Sequence, residues 1–149
     1  LYVSAVGDAY NYSDTTYKYT GGVVTVDTDN YASTLLIDDG DAASAPYGNI
    51  TQVTVSAMHD VYFSGSASYS NDHLFVRTNL TGDISAVSLG NGTYNISSLA
   101  SSGAEVYVGV FAQADGSAPA GIHVINAITQ TPIRFIPMSF QPTQIVVVP

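Results

Sequence analysis

The sequence predicts an all-β protein that folds as one β-sandwich domain over residues 1–149. Short runs of Val, Ile, Thr, Tyr and Phe are separated by clusters of Gly, Asn, Asp, Ser and Pro. No stretch of a dozen residues keeps the 3.6-residue apolar period of a helix. Many short strands at regular spacing predict a sandwich of about 9–12 mostly antiparallel strands.

The strand-forming runs predict twelve elements in chain order. They are 1–7 (LYVSAVG), 22–27 (GVVTVD), 31–37 (YASTLLI), 50–58 (ITQVTVSAM), 61–66 (VYFSGS), 74–79 (LFVRTN), 83–89 (DISAVSL), 93–98 (TYNISS), 105–113 (EVYVGVFAQ), 121–128 (GIHVINAI), 132–139 (PIRFIPMS) and 143–148 (TQIVVV). Turn-forming residues lie between them, and the segment 99–105 is expected to form one helical turn. The last run is apolar on both faces, which is typical of a strand buried on both sides.

The charge balance excludes several classes of partner. Only 10% of the residues are charged and the net charge is −9, with Lys18, Arg77 and Arg134 as the only fixed cations. Such a chain repels the phosphate groups of nucleic acids and of anionic membrane surfaces. No apolar run approaches the ~18 residues that a membrane span needs. We therefore expect no nucleic-acid partner and no membrane span.

The mean hydropathy is positive, at +0.18, although no membrane span is expected. We expect a soluble chain of this kind to bury some of its surface against other subunits. It has no cysteine, so neither disulfides nor thiolate chemistry are available. The sequence begins at Leu1 and not at Met, so we expect either a removed secretory or pro-segment or a chain trimmed at this point.

Five Asn-x-Ser/Thr patterns are potential acceptors for N-linked sugar, more than this composition gives by chance. They begin at Asn11, Asn49, Asn79, Asn91 and Asn95. Each lies in an expected loop or at a strand end, where a glycosylating enzyme could reach it. If 91–97 is extended, the tandem pair shares one face about 13 Å apart. A tight hairpin turn at Asn91-Gly92 is the alternative interpretation, and it is compatible with an attached sugar.

Two acidic turns offer clustered oxygen atoms of the kind that Ca²⁺ prefers. Their acids are Asp27, Asp29, Asp38, Asp39 and Asp41. Neither turn matches a complete calcium-binding loop, and Asp is common in turns because it bonds its own backbone. We therefore expect turns here, and no metal or other cofactor apart from covalent glycans.

The three histidines, His59, His73 and His123, are isolated in sequence, and none has metal-ligand spacing. His59-Asp60 with a serine resembles part of a hydrolase triad, but no Gly-x-Ser-x-Gly elbow accompanies it. We therefore predict no catalytic residues and no enzyme activity. The histidines are not expected to converge with a Ser and an Asp in one pocket.

Four tyrosines, Tyr10, Tyr12, Tyr17 and Tyr19, crowd one polar stretch near the start of the chain. Exposed tyrosines can stack on sugar rings, and they are also frequent at subunit interfaces because the ring is apolar and its tip is polar. We favour the interface.

The expected strands at the two ends of the chain, 1–7 and 143–148, are charge-free and largely apolar, and they would promote aggregation as open edges. In 1–9 one face carries Leu1, Val3, Ala5 and Gly7. We expect this segment to be donated as a strand to a groove of a neighbouring subunit, with pairing inside its own sheet as the alternative. Ile145 and Val147 make the C-terminal strand the next candidate for such an interface.

The segment 97–109 resembles the corner between strands E and F of immunoglobulin-like domains. Tyr107 and Gly109 take the positions of the corner tyrosine and of the buried residue two places later. The cysteine pair and core tryptophan of true immunoglobulin domains are absent. This likeness implies an immunoglobulin-like or jelly-roll sandwich.

Composition, acceptor patterns and terminal strands together resemble the secreted subunits of prokaryotic pili or threads, which are β-sandwiches joined by donated strands and are often N-glycosylated. The chain departs from chaperone–usher pilins, which carry a disulfide and a characteristic aromatic C-terminal strand. The resemblance implies an extracellular, cell-surface homopolymer whose sugar-covered surface serves adhesion. A monomeric carbohydrate-binding or adhesin module and a viral capsid or fibre sandwich are the rivals.

Overall fold

The computed structural model describes residues 1–5, 21–38, 47–66, 72–90 and 94–148. These residues form eleven strands. The strands are β1 (Tyr2–Ala5), β2 (Gly22–Val26), β3 (Ser33–Asp38), β4 (Asn49–Val55), β5 (Val61–Ser66), β6 (Asp72–Arg77), β7 (Ile84–Val87), β8 (Asn95–Ser102), β9 (Glu105–Phe111), β10 (Gly121–Asn126) and β11 (Thr131–Pro137). The described part of the chain holds no helix long and apolar enough to cross a membrane.

The strands make three antiparallel sheets, in which neighbours in the sheet are also neighbours in the chain. The first sheet has the order β1-β2-β3, the central sheet β4-β5-β6-β7, and the third sheet β11-β10-β9-β8. Such meanders follow from short turns between successive strands, because a tight turn can only return the chain antiparallel. The prediction of an all-β sandwich is confirmed.

The central sheet is covered on both faces, so the sandwich has three layers. Along β5 the side chains alternate: Tyr62 packs toward the third sheet, and Val61 and Phe63 pack toward the first. This explains why β5 reads as an almost unbroken buried run.

Two apolar cores result from this alternation. The core between the central and third sheets contains Tyr62, Leu74, Val76, Val87, Leu89, Ile96, Val106, Val108, Val110, Ile125 and Ala127. The core between the first and central sheets contains Val23, Ile37, Ile50, Val61 and Phe63. Polar bonds join the layers at one side, where Ser101 Oγ accepts from Thr54 Oγ1 at 3.0 Å and donates to the carbonyl of Val55 at 2.6 Å.

The expected helical turn at 99–105 is wrong. β8 continues to Ser102, and β9 begins at Glu105 after a tight turn in which Gly103 takes a positive φ of 55°. The likeness to an immunoglobulin E–F corner fails for the same reason, because β8 and β9 are hydrogen-bonded neighbours in one sheet. The Tyr107 hydroxyl donates to the Glu105 carboxylate at 2.6 Å, a contact within β9 and not one between two sheets.

The twelfth expected strand, 143–148, is also wrong as a strand of this chain. In the described residues this stretch pairs with no other strand. The cause lies in its position, because Ser97 Oγ donates to the Pro142 carbonyl and the Ile145 side chain lies beside Gly109, which places the stretch over the outer face of the third sheet. A segment over a face has no ladder to join.

Candidate functional site

The N-terminal segment is satisfied within its own chain, against the expectation that it pairs with a neighbour. Tyr2–Ala5 forms β1 and pairs antiparallel with β2, with Val3 opposite Val24. The amide of Val26 donates to the Leu1 carbonyl at 2.8 Å, and the Leu1 amino group donates to the Val26 carbonyl at 3.0 Å. Since these bonds occupy its backbone, β1 is not a free donor strand in this structure.

The side chains of the N-terminal segment are only partly covered within this chain, and their burial in a neighbouring subunit stays a prediction. Leu1 and Val3 are exposed and Ala5 is half-buried, so none of them lies in a core. Gly7 lies outside the described residues. The alternating pattern predicted the strand correctly, but it could not tell which strand would be its partner.

The C-terminal segment, which we define as residues 143–148, lacks a strand partner within the described chain and exposes apolar side chains. We had expected these two properties of the N-terminal segment. Ser97 Oγ donates to the carbonyl of Pro142 and holds the segment's start on the third sheet. Beyond that anchor, no hydrogen bond involving 143–148 is found in the described structure. Val146 and Val148 are 70% and 81% exposed. The segment is therefore apolar, open on one side and unpaired.

The C-terminal segment lies on the outer face of the third sheet, next to Gly109 of β9. Val108 and Val110 of β9 point into the core, so Gly109 between them points outward. The Cδ1 atom of Ile145 lies 3.4 Å from the position that a Cβ on Gly109 would take. Of the two predicted interface residues in this segment, Ile145 is half-buried on its own sheet and Val147 is exposed.

The structure also offers an edge that could receive such a segment. The edge strands β1, β4 and β8 lie next to one another at one side of the sandwich. A hydrogen bond from Ser4 Oγ to the Thr51 carbonyl, at 3.2 Å, joins β1 to β4. On the opposite side, β11 carries Pro132 and Pro137, which blunt an edge, and β7 has only 4 residues.

The third edge on that side, β3, has 6 residues with no proline and no basic side chain. Within the described chain it pairs only with β2, and the side chain of Leu35 is exposed. It is the edge best suited to accept an added strand.

The acceptor asparagines differ in their surroundings. Asn79 is exposed in the turn between β6 and β7, whereas Asn49 and Asn95 are half-buried first residues of β4 and β8. Asn49 is paired with Ser66, and Asn95 with Phe111. Asn11 and Asn91 lie outside the described residues, as do Tyr10, Tyr12, Tyr17 and Tyr19.

A groove of about 500 Å³, unforeseen from the sequence, lies beside Asn79 at one end of the sandwich. Its apolar lining comes from the tips of three separate turns: Met58 before β5, Leu80 before β7 and Ile128 before β11. These side chains are 54%, 94% and 66% exposed. A signal was present in the sequence, since each turn tip carries one large apolar residue, but the sequence did not show that the three tips meet.

The acidic turn at Asp27 folds on itself. The Asp27 carboxylate accepts the backbone amide of Asp29 at 2.9 Å, and the Asn30 side chain accepts that of Ala32 at 2.8 Å. Among the residues that the structure describes, no cluster of three or more His, Asp or Glu could hold a metal ion. Asp38 ends β3, and Asp39 and Asp41 lie outside the described residues.

The histidines occupy three separate places. His59 lies in the turn before β5, with a positive φ of 62°, and His73 lies near the start of β6 and is exposed. His123 is buried on β10, 4.9 Å from the Tyr94 ring centroid and 4.6 Å from that of Phe135. Its Nε2 atom has no hydrogen-bond partner. Among the described residues, no Ser–His–Asp arrangement forms around it.

No family model, no curated protein and no solved structure matches this chain.

Proposed function

We propose that the chain is the structural subunit of an extracellular, glycosylated filament, and that its subunits are joined by donation of the C-terminal segment. The observation that carries this proposal is the state of residues 143–148, which end in the apolar run Ile145–Val148 and have no backbone partners in the described chain. Such a segment is an aggregation hazard in a secreted protein unless a defined partner covers it.

The recipient in this proposal is the β3 edge of a second copy. Both partners are six residues long and free of basic side chains, so a strand pair can form without burying a cation. Main-chain bonds would supply the affinity, and the apolar side chains of the donor would be removed from water at ~1.5–3 kcal/mol for each fully buried side chain. Donor and acceptor are different surfaces, so the contact is heterologous and generates an open filament when the rotation between copies does not close a ring.

The decisive variant is Val146→Lys, because Val146 is exposed in the isolated subunit and the substitution leaves the fold intact. We expect wild-type protein at high concentration to form filaments in negative-stain images and to elute early from a size-exclusion column. The Val146→Lys protein should stay monomeric with an unchanged Tm. The matched control is Ile133→Lys, which places the same charge on an exposed apolar residue of β11.

A second arm tests the acceptor. Leu35→Pro on β3 should block growth, because Leu35 lies opposite Val24, whose backbone groups face β1, so the Leu35 amide points to the open edge. A synthetic peptide of residues 141–149 should shorten wild-type filaments by occupying β3. Filaments formed by the Val146→Lys variant, or a wild-type protein that stays monomeric at every concentration, would rule out this assembly. The second result would favour a monomeric binding module.

A further inference from the structure

Asn79 differs from the other described acceptor asparagines in being presented on a fixed, open turn. The turn is closed by the Gly82 amide, which donates to the Thr78 carbonyl at 2.9 Å, and by the Thr78 amide, which donates to Asp83 at 2.9 Å. The Asn79 backbone amide donates to Asp60 Oδ1 at 2.8 Å. Its side-chain amide makes no hydrogen bond within the described structure, so Nδ2 is free to react.

The other two described acceptors do not have this geometry. Asn49 and Asn95 begin strands, are half-buried, and lie in antiparallel register with a neighbouring strand. Their half-buried side chains offer a transferase less access than the exposed Asn79 does.

The surroundings of Asn79 are the second, independent observation. Asn79 itself lines the groove of about 500 Å³ whose apolar wall is Met58, Leu80 and Ile128. Leu80 is the middle residue of the acceptor pattern and is 94% exposed. Apolar groups on three converging turns are unfavourable in water unless something covers them.

We propose that Asn79 carries an N-linked glycan whose first sugars lie in this groove and cover Leu80, Met58 and Ile128. The occupant is an oligosaccharide, because Asn79, to which the sugar is attached, is part of the groove wall. The C–H faces of sugar rings also suit an apolar lining. The remaining lining groups are polar: Asp60, Thr78, Thr81 and Gln130. Their oxygen and nitrogen atoms suit the hydroxyl groups of a sugar.

The covalent step is a substitution with no change of oxidation state. Nδ2 of Asn79 attacks the anomeric carbon of a polyprenyl-phosphate-linked oligosaccharide, in the active site of a separate glycosyltransferase. The carbon–oxygen bond to phosphate breaks, the lipid phosphate leaves with the electron pair, and the amide nitrogen loses one proton to a base. This proposal relies on the proposed function only for the extracellular location of the chain.

The test uses the Val146→Lys background, so that assembly cannot influence the result, and a host with N-glycosylation machinery. Chymotryptic peptides are mapped by mass spectrometry. We expect hexose-containing mass on the Asn79 peptide and its complete loss in Thr81→Ala, which destroys the acceptor pattern but keeps Asn79. Thr81→Ser, which preserves the pattern, is the matched control and should keep the mass.

Groove coverage has its own readout. Binding of the dye ANS should rise when the sugar is absent in Thr81→Ala and fall again in Thr81→Ala/Leu80→Ser. An unmodified Asn79 peptide overturns the attachment, even if the filament assay succeeds. Equal ANS binding with and without sugar overturns the coverage.

Discussion

The carboxylate of Asp72 accepts the backbone amide of Ile96 at 2.7 Å, across 24 positions of the chain. The Asp72 amide in turn donates to the carbonyl of Tyr94 at 2.8 Å. Asp72 begins β6 in the central sheet, and Ile96 lies at the start of β8 in the third sheet. This one residue therefore fixes the distance between two layers at the same end at which their shared core begins.

The first prediction concerns the protonation of this carboxyl. Burial raises the pKa of Asp72 above its ordinary 3.8, although the hydrogen bonds from Ile96 and Ser66 and the nearby His73 act in the opposite direction. The folded chain thus binds this proton more tightly than the unfolded chain does. The contribution of the Asp72 carboxyl to the free energy of unfolding is therefore largest below its ordinary pKa, and it falls as the pH rises through the raised pKa.

Asp72→Asn keeps an acceptor for Ile96 but removes the buried charge. We expect its Tm to exceed that of wild type at pH 7 and to equal it at pH 3, measured by circular dichroism. Asp72→Ala leaves the Ile96 amide without an acceptor and should cost roughly 1–3 kcal/mol at either pH. An Asn variant less stable than wild type at pH 7 would contradict the argument.

A second prediction concerns His123, which is packed between Tyr94 and Phe135 with Nε2 unpartnered. Burial lowers its pKa. The stability that depends on the neutral ring is present above the ordinary pKa of 6.5 and is lost as pH falls through the lowered value.

His123→Phe should therefore raise the free energy of unfolding by about 1 kcal/mol at pH 7, because it removes an unsatisfied buried nitrogen. It should also flatten the loss of stability on acidification. Urea unfolding at pH 7 and pH 5 measures both effects. His59→Asn, at an exposed turn position whose positive φ of 62° asparagine tolerates, is the control and should change neither.

The third prediction concerns Tyr62, whose buried hydroxyl donates to the carbonyl of Ala127 at 3.1 Å and links the central sheet to the third. Burial, with a smaller contribution from the charge of Asp60, raises its pKa to about 12. Stability from this group is complete below the ordinary pKa of 10 and falls as pH rises toward 12.

Tyr62→Phe should cost about 1 kcal/mol at pH 7 through the lost hydrogen bond. It should also reduce the drop in stability between pH 9 and pH 12. Tyr31→Phe, at an exposed turn, is the comparison and should behave like wild type. An equal alkaline drop in the two variants would show that Tyr62 ionises freely.

The fourth prediction examines the seat of the C-terminal segment. A Cβ on Gly109 would overlap with Ser98 Oγ, which is itself buried without a hydrogen-bond partner. Gly109→Ala alone should cost roughly 1–3 kcal/mol through overpacking. Ser98→Ala should be neutral or stabilising, since it removes an unsatisfied hydroxyl.

The double variant Ser98→Ala/Gly109→Ala should then be more stable than the sum of the single changes, because the overlapping oxygen is gone. Chemical denaturation of all four proteins completes the cycle. Strict additivity would mean that the cost of the new methyl group comes from neighbours other than Ser98 Oγ, of which Ser97 Oγ is the nearest, at 3.1 Å.

Eleven of the twelve strands expected from the sequence are present, with boundaries that differ by a few residues. Period-two alternation and turn chemistry are local properties, so they can be recognised one segment at a time. The three-layer arrangement was not predicted. The apolar run at 61–66 indicates a strand covered on both faces, but it does not show which sheets cover it.

The site was harder to predict than the fold, because an apolar alternation shows that a strand buries a face but not against which chain. Residues 1–9 and 143–148 carry similar signals, yet β1 found its partner in β2 and the C-terminal segment found none among the described residues. The groove at Asn79 joins three turns that are far apart in sequence. Only the sheet topology brings their tips together.

The double-sided burial of β5 has a consequence for how the molecule comes apart. Tyr62 belongs to one core and its neighbours Val61 and Phe63 to the other, so neither outer sheet can detach without exposing a face of the same strand. The three layers therefore form one cooperative unit, and heating should give a single calorimetric transition whose van 't Hoff and calorimetric enthalpies agree. In a filament, such a subunit would yield to tension at its joints before it yields within its body.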